Sequence, residues 1–371
     1  MDSECESLTC LPDGSCEAAI NVLYAAADGN PASSCTRTAK CSVARAVALI
    51  DGIKTTIRLD PGQYTLGDTL LLSVSLRIVG RDAVLDRVGS GIGATLGISG
   101  RAEVELDYLT VQGGDGVLSG DHYTGGSGIS CDSATLTARE INVNNNDTVG
   151  IHGSRCTLAI THSRVELNRG FGFILTEGSI TMTRSVVIAN PSGGIQLMGG
   201  TFDLENNFII ENGGPLGAFG GMLILNMSGP GPHVFDFNTV ALNYSEPIIG
   251  YTPGVDCEAT FHQDPGGSAG PLVFTNNIVF SNVQGNTYPQ VSGNCNWKYS
   301  NVAPIPPPPP LGIGNVVLDP LFVDPQHSDF HLHAASPMRG LADPTATLAV
   351  DIDGEVRPQG AGRDMGADEI K

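Results

Sequence analysis

From residue 128 to residue 212 the chain repeats itself every 22 residues without a slip. A glycine column, Gly128, Gly150, Gly172 and Gly194, is followed by Ile129, Ile151, Phe173 and Ile195. Three apolar columns come next: Leu136, Leu158, Ile180, Phe202; then Ala138, Ile160, Met182, Leu204; then Val143, Val165, Val187, Ile209. Each copy closes on asparagine, at Asn146, Asn168, Asn190 and Asn212. A unit this short can bury its apolar face only on another copy of itself, so the repeat demands a stacked architecture.

Within each copy, apolar residues alternate in three short runs separated by Gly, Asn or Ser. Alternation at period two reads as strand, and the runs are too short for helices. Three short strands per copy, stacked about 4.8 Å apart, make a parallel β-helix. Inward asparagines at one turn would then hydrogen-bond along the stack as a ladder. Shorter matches extend the pattern, from Val104 to Gln112 before it and from Phe235 to Asn243 and Phe274 to Asn282 after it. The expected fold is all-β, with residues 55–300 forming the β-helix and insertions near 113–127 and 246–271. Residues 1–54 form a Cys-rich segment whose helical spacing at Ser42 to Asp51 suits a cap over the open end. A Pro-rich linker at 301–317 contains Ile305 to Leu311, extended because proline cannot join a ladder, and 318–371 forms a closing segment.

With 41% hydrophobic residues but only short apolar runs, the 371-residue chain is neither disordered nor membrane-inserted by helices. Its 19 basic against 39 acidic residues, a net charge of −20, argue against nucleic acid as a partner. Nine cysteines are present, five of them (Cys5, Cys10, Cys16, Cys35, Cys41) in the first 41 residues and none at zinc-like spacing. They read as disulfide-forming in an oxidising compartment, hence a secreted or cell-surface protein. An odd total leaves at least one sulfur outside a pair. Cys257 and Cys295 are suited to tie a long loop to the body, although spacing does not fix pairing. No leader precedes them, and the expectation is that one was removed and that Met1 is not native to the mature chain.

The tail DPLFVDPQHSDFHLHAASPMRG, followed by DIDGEVRPQGAGRDMGADE, resembles the C-terminus of bacterial choice-of-anchor Q, pectate-lyase-like β-helix proteins. The shared pattern D-x-D-G-x-x-R-P…D-x-G-A-x-E falls on Asp351, Asp353, Gly354, Arg357, Pro358, Asp364, Gly366, Ala367 and Glu369. Cys41 to Tyr64 is similar to their first rung. The resemblance implies an exported right-handed parallel β-helix. It implies no single activity, because the superfamily spans lyases, hydrolases, epimerases and non-catalytic surface proteins.

On the third strand the inward column leaves two outward ones: Asn142, Arg164, Val186, Phe208 and Asn144, Glu166, Ile188, Ile210. One end of this face is polar and the other apolar, with Phe280 in line to extend it. An uncovered apolar patch marks contact with something, either an insertion or the tail of this chain, or a ligand or subunit. Residues 133–185 carry five arginines (Arg139, Arg155, Arg164, Arg169, Arg184) against four acids (Glu140, Asp147, Glu166, Glu177), with His152 and His162. Such a local cationic stretch suits a polyanion groove. The repeat places Asp147 beside Arg169 and Arg155 beside Glu177, which reads as structural pairing between rungs. Arg164 and Glu166 have no charged neighbour above or below, which makes them the candidates for chemistry.

β-Elimination from a uronic acid requires a cation on the sugar carboxylate, a base for the C5 proton and an acid for the leaving oxygen. The catalytic candidates are Arg164, Glu166, His152 and His162. Asn142, Asn144, Arg169 and Arg184, with the loop residues His122 and Tyr123, are candidates for binding a polysaccharide. Glu166 and Asn144 offer oxygen ligands, so Ca²⁺ is the cofactor considered, with no metal site assigned. The four lysines (Lys40, Lys54, Lys298, Lys371) lie outside the regular rungs, which argues against a lysine base. Glycoside hydrolysis needs two carboxyl groups about 5 or about 6.5–9.5 Å apart. No Asp or Glu within 128–190 has another 22 positions on, which ranks hydrolysis behind elimination. The competing class is a non-catalytic surface protein, and burial of the central face by an insertion or the tail would remove the enzymatic site.

Three further features carry weaker expectations. Asp256, Glu258, His262 and Asp264 in the second insertion have loose metal-ligand spacing. Asp351 to Glu355 lacks the remaining ligands of a calcium loop and reads as a turn ordered by Arg357. Trp297, the only tryptophan, is a candidate to stack a sugar ring.

Overall fold

The computed structural model describes residues 5, 7, 9–11, 13–119, 122–215, 217, 219–225, 227, 231–247, 251–258, 272–303 and 312–371. The proline run at 305–311 and the insertion residues His262 and Asp264 lie outside the described residues. One full rung consists of a long strand Val149–Ser154, a middle strand Thr157–Thr161 and a short strand Arg164–Glu166. Each pairs in parallel with its counterpart one rung away. The registers run Ile129–Ile151–Phe173–Ile195 on the long strands, Leu136–Leu158–Ile180–Phe202 on the middle ones and Val143–Val165–Val187–Ile209 on the short ones. None of these twelve is more than 1% exposed. The sequence columns are therefore the three walls of a parallel β-helix core.

The corners explain why the repeat keeps its length. After the middle strand, Glu140, His162, Arg184, Asn206, Phe237 and Asn276 all adopt φ between +49° and +58°. After the short strand, Leu167, Ala189, Glu211, Leu242 and Ser281 do the same. Left-handed backbone costs a non-glycine residue about 1 kcal/mol or more, so something must hold each corner. Beside the second column stands the asparagine ladder. Asn146, Asn168, Asn190, Asn212 and Asn243 each donate through Nδ2 to the next Oδ1 at 2.8–3.1 Å, and Gln290 ends the stack beyond Asn282. A second ladder, Ser163, Ser185, Asn207, Asn238, Asn277 and Ser300, holds the first column. Gly150 is required for closeness: a Cβ there would lie 2.5 Å from Val165 Cγ1 and 2.8 Å from Gly172 O.

At the N-terminal end Val22–Ala25 pairs with Thr56–Leu59, and the six-residue helix Val43–Ala48 buries Val43 and Ala46 on the core. Disulfides Cys5–Cys16 and Cys35–Cys41 staple this end, with the Cys10 sulfur 3.5 Å from that of Cys5. Cys131–Cys156 and Cys257–Cys295 each join consecutive rungs. No described helix is long and apolar enough to cross a membrane.

The closing segment covers the outer face of the short strands. Phe322–Asp324 and Asp329–Leu332 form an antiparallel pair, and Phe330, Ile352 and Ala367 pack on Ile188, Phe208 and Ile210. Phe280 meets Phe322 at 6.0 Å, ring to ring. The apolar end of the face is thus filled by the chain's own tail. The tail is clipped down by Arg357, whose guanidinium donates to Glu369 Oε2 at 3.1 Å, Asp364 O at 3.0 Å, Gly366 O at 2.8 Å and Asn206 Oδ1 at 3.2 Å. It also lies 4.6 Å over the Phe237 ring. Arg184 and Asn206 add bonds to the carbonyls of Ile352 and Val350. The acidic and arginine pattern of the tail is therefore a docking device along the first corner column.

Three expectations need correction. Arg155 pairs with Asp132 at 2.9 Å, on the preceding rung, instead of with Glu177. Trp297 is 3% exposed and edge-on to Phe274 and Phe235, so it is core and has no face free for a sugar. The turn at Asp351 is closed by its own carboxylate, which accepts from Asp353 N and Glu355 N, while Arg357 bonds elsewhere.

Candidate active site

The residues singled out in the sequence separate in space. Arg164 binds Glu166 on its own strand, and Asn142 Nδ2 donates to Glu166 Oε1 at 3.1 Å, so these three form one cluster. His152 belongs to a long strand on a different sheet and does not join them. Asn144 accepts from Asn145, and Arg169 reaches Asp147 at 2.9 Å with its side chain 79% exposed. His122 and Tyr123 fall on the strand His122–Gly125 of a hairpin with Gly116–Ser119. Burial pushes the imidazoles of His152 and His162 toward the neutral form, with Arg184 adding to the effect on His162.

What the structure does gather is a cleft of about 330 Å³ where the tail meets the first corner. His162, Arg164, Arg184, Phe208, His331 and Asp353 are among its walls. Arg184 spends its Nε on the Ile352 carbonyl and Arg164 its Nε on Glu166, so both guanidinium groups are positioned, and neither is a ready base.

Next to this cleft, on the outer face of the middle strands, lies a group of carboxylates that the 22-residue count overlooks. Asp203 and Glu205 point outward from Thr201–Glu205, alternating with buried Phe202 and Leu204. Asp236 is the register partner of Glu205 on the next strand, His233–Asp236. Here the rung step is 31 residues, as between Asn207 and Asn238, because the connections before Met222 and before His233 are both longer than in the regular rungs. Following the ladder asparagines instead of a fixed period would have aligned Glu205 with Asp236.

The electrostatics of this group are unusual for so open a fold. Burial, with Asp203 and Asp236 alongside, pushes the Glu205 carboxyl up to about 7. Burial also raises Asp203 and Asp236, the latter opposed by donors from Asn276 and Thr275 at 2.7 and 2.8 Å. Desolvation and like charge act together on Glu205, and no cation among the described residues offsets them. A carboxyl that keeps its proton near neutral pH, beside two others, is the arrangement of an acid with a partner base. Leading to it along the same face are Thr157, Thr161, Ser179, Thr181 and Thr183, with Ser179 bonded to Thr157 and Thr183 to Thr161 across rungs. All-oxygen donors at Asp203, Glu205 and Asp236 also fit Ca²⁺ chemically.

Residues 92–212 match the family model of the right handed beta helix region. No protein with a curated description matches the chain. Among solved structures, pectate lyase Pel9A aligns at 16% identity and TM-score 0.61, over 94% of this chain and 96% of that one. The Dettilon tailspike protein aligns at 14% identity and TM-score 0.39, over 82% and 63% of the two chains. What this chain shares with Pel9A, over nearly the whole of both, is the fold: a right-handed parallel β-helix.

Proposed function

We propose that the protein is an extracellular carbohydrate-active enzyme that cleaves glycosidic bonds along the outer face of its middle strands. The observation that carries this reading is Glu205, whose carboxyl holds its proton to about pH 7 beside Asp203 and Asp236. Glu205 donates that proton to the leaving glycosidic oxygen. Asp203 or Asp236 acts as the partner carboxylate, as base for water or as nucleophile. The hydroxyl-lined face supplies subsites for a chain running along the solenoid, and four disulfides suit an oxidising, extracellular setting.

A second reading keeps the same face but ends in β-elimination. It is favoured by Arg164 and Arg184 in the adjoining cleft, which would neutralise a uronic acid carboxylate. In that case Ca²⁺ held by Asp203, Glu205 and Asp236 would supply charge neutralisation, while His162 would be a neutral proton acceptor in the cleft.

The test is release of reducing ends from a panel of neutral and acidic polysaccharides, with the ultraviolet absorbance of unsaturated uronides followed in parallel. Hydrolysis predicts reducing ends alone, lost in Glu205→Gln. Elimination predicts both signals together and dependence on Ca²⁺. Absence of both signals on every polymer would leave the non-catalytic surface protein as the reading.

A further inference from the structure

Three segments of the tail converge on a point that the carbohydrate reading does not use. His331 comes from the strand Asp329–Leu332, Asp353 from the turn after Asp351, and Asp368 from the last residues of the chain. One ligand atom from each lies within 4.8 Å of the other two. We propose that His331, Asp353 and Asp368 bind a divalent transition-metal ion that fastens the closing segment over the β-helix.

The imidazole is already set up as a ligand. Its Nδ1 is 2.6 Å from Asp329 Oδ1, and its Nε2 is 3.0 Å from Asp353 Oδ2. With Nδ1–H donating to Asp329, the lone pair of Nε2 faces the carboxylates. A carboxylate behind the ring orients metal-bound histidines in this way and raises their basicity. The Phe208 ring, edge-on at 5.4 Å, holds the imidazole from the other side.

Asp368 supplies an independent sign. It is 7% exposed, and its Oδ2 accepts from Leu332 N at 2.6 Å. Its second oxygen receives no hydrogen bond from any described residue. That oxygen is therefore left to serve as a ligand. Nearby Asp351 is not competing for the ion, because its oxygens accept from Asp353 N, Glu355 N and Glu369 N and so fix where Asp353 stands.

The donor set selects the ion. One imidazole nitrogen with two carboxylates suits Zn²⁺ or Mn²⁺, whereas Ca²⁺ takes oxygen ligands only. His331 and Asp353 also line the cleft, so water can complete the coordination from the open side. Arg184, which binds the Ile352 carbonyl, and Arg164 also line that side.

The experiment uses the full chain, stripped with EDTA, titrated calorimetrically with ZnCl₂, MnCl₂ and CaCl₂. One Zn²⁺ or Mn²⁺ per chain is expected, with binding lost in His331→Ala and in Asp353→Asn and weakened about tenfold or more in Asp329→Asn. Circular dichroism of each variant separates lost binding from lost folding. As a second readout on the unaltered chain, the metal should slow amide hydrogen exchange at 329–332 and 351–354 while leaving the asparagine ladder unchanged. No binding, binding indifferent to His331→Ala, or binding of Ca²⁺ alone would each overturn the proposal.

Discussion

Glu205 and Asp236 face each other across neighbouring strands, and Asp203 shares their outer face two residues away. Three carboxylates so placed destabilise the folded chain when ionised. Their placement together on an outer face is what a reacting site would require.

The first expected outcome concerns pH. The Glu205 carboxyl titrates near 4.5 when unfolded and about 7 when folded. Below the lower value it is protonated in both states and costs nothing. Between the two, the unfolded chain gives up its proton first, so folding stability falls as pH rises, and above about 7 the loss is complete. Glu205→Gln should therefore match the parent near pH 4 and exceed it at pH 8 by on the order of 1–3 kcal/mol, read by urea melts at each pH.

Catalysis should respond in the opposite sense. Loss of the acid predicts a fall of about 10²–10⁴-fold in cleavage for Glu205→Gln, and parent activity should decline above pH 7 as the proton is lost. Asp236→Asn should lower the upper limb of the pH profile by removing one of the charges that hold Glu205 protonated. An unshifted profile would place the acid elsewhere.

Arg357 and Glu369 form an ion pair whose side chains are 0% and 1% exposed. Arg357→Ala leaves Glu369 buried and unpaired, a change that typically costs about 3–5 kcal/mol. Because Arg357 joins the tail to Asn206 and Phe237, the expected result is release of the tail and exposure of Phe208 and Ile210. Increased binding of a hydrophobic dye before the main thermal transition would report it.

Asn190 donates to Asn212 Oδ1 at 2.9 Å, accepts from Asn168 and bonds the carbonyls of Val165 and Ile188. Truncation to alanine strands several buried groups in mid-stack. A loss of about 2–4 kcal/mol is expected from a chemical denaturation series, at roughly 1–3 kcal/mol for each unsatisfied group.

Cys131–Cys156 closes a sequence separation of 25 residues between consecutive rungs. Replacing both cysteines by serine should cost about 2–4 kcal/mol, with no change in the far-ultraviolet spectrum, since the strands on either side are paired independently.

The β-helix was legible because its physics is local and periodic: one apolar residue per column, one asparagine per corner, repeated at the spacing of the rungs. Val143, Val165, Val187 and Ile209 sit where the alternation places them. The second ladder was less visible, since Ser163 and Ser185 do the work that Asn207, Asn238 and Asn277 do later, and mixed residue types hide a column. The apolar outer face at Phe208 and Ile210 could be read as needing a cover, but nothing local names which segment supplies it. Only the tertiary structure decided that, by bringing Phe330, Ile352 and Arg357 back across more than a hundred residues of chain. It also decided where charge gathers. Two connections longer than their neighbours moved Asp236 out of the fixed period yet left it beside Glu205, because strand pairing follows hydrogen bonds, not residue count.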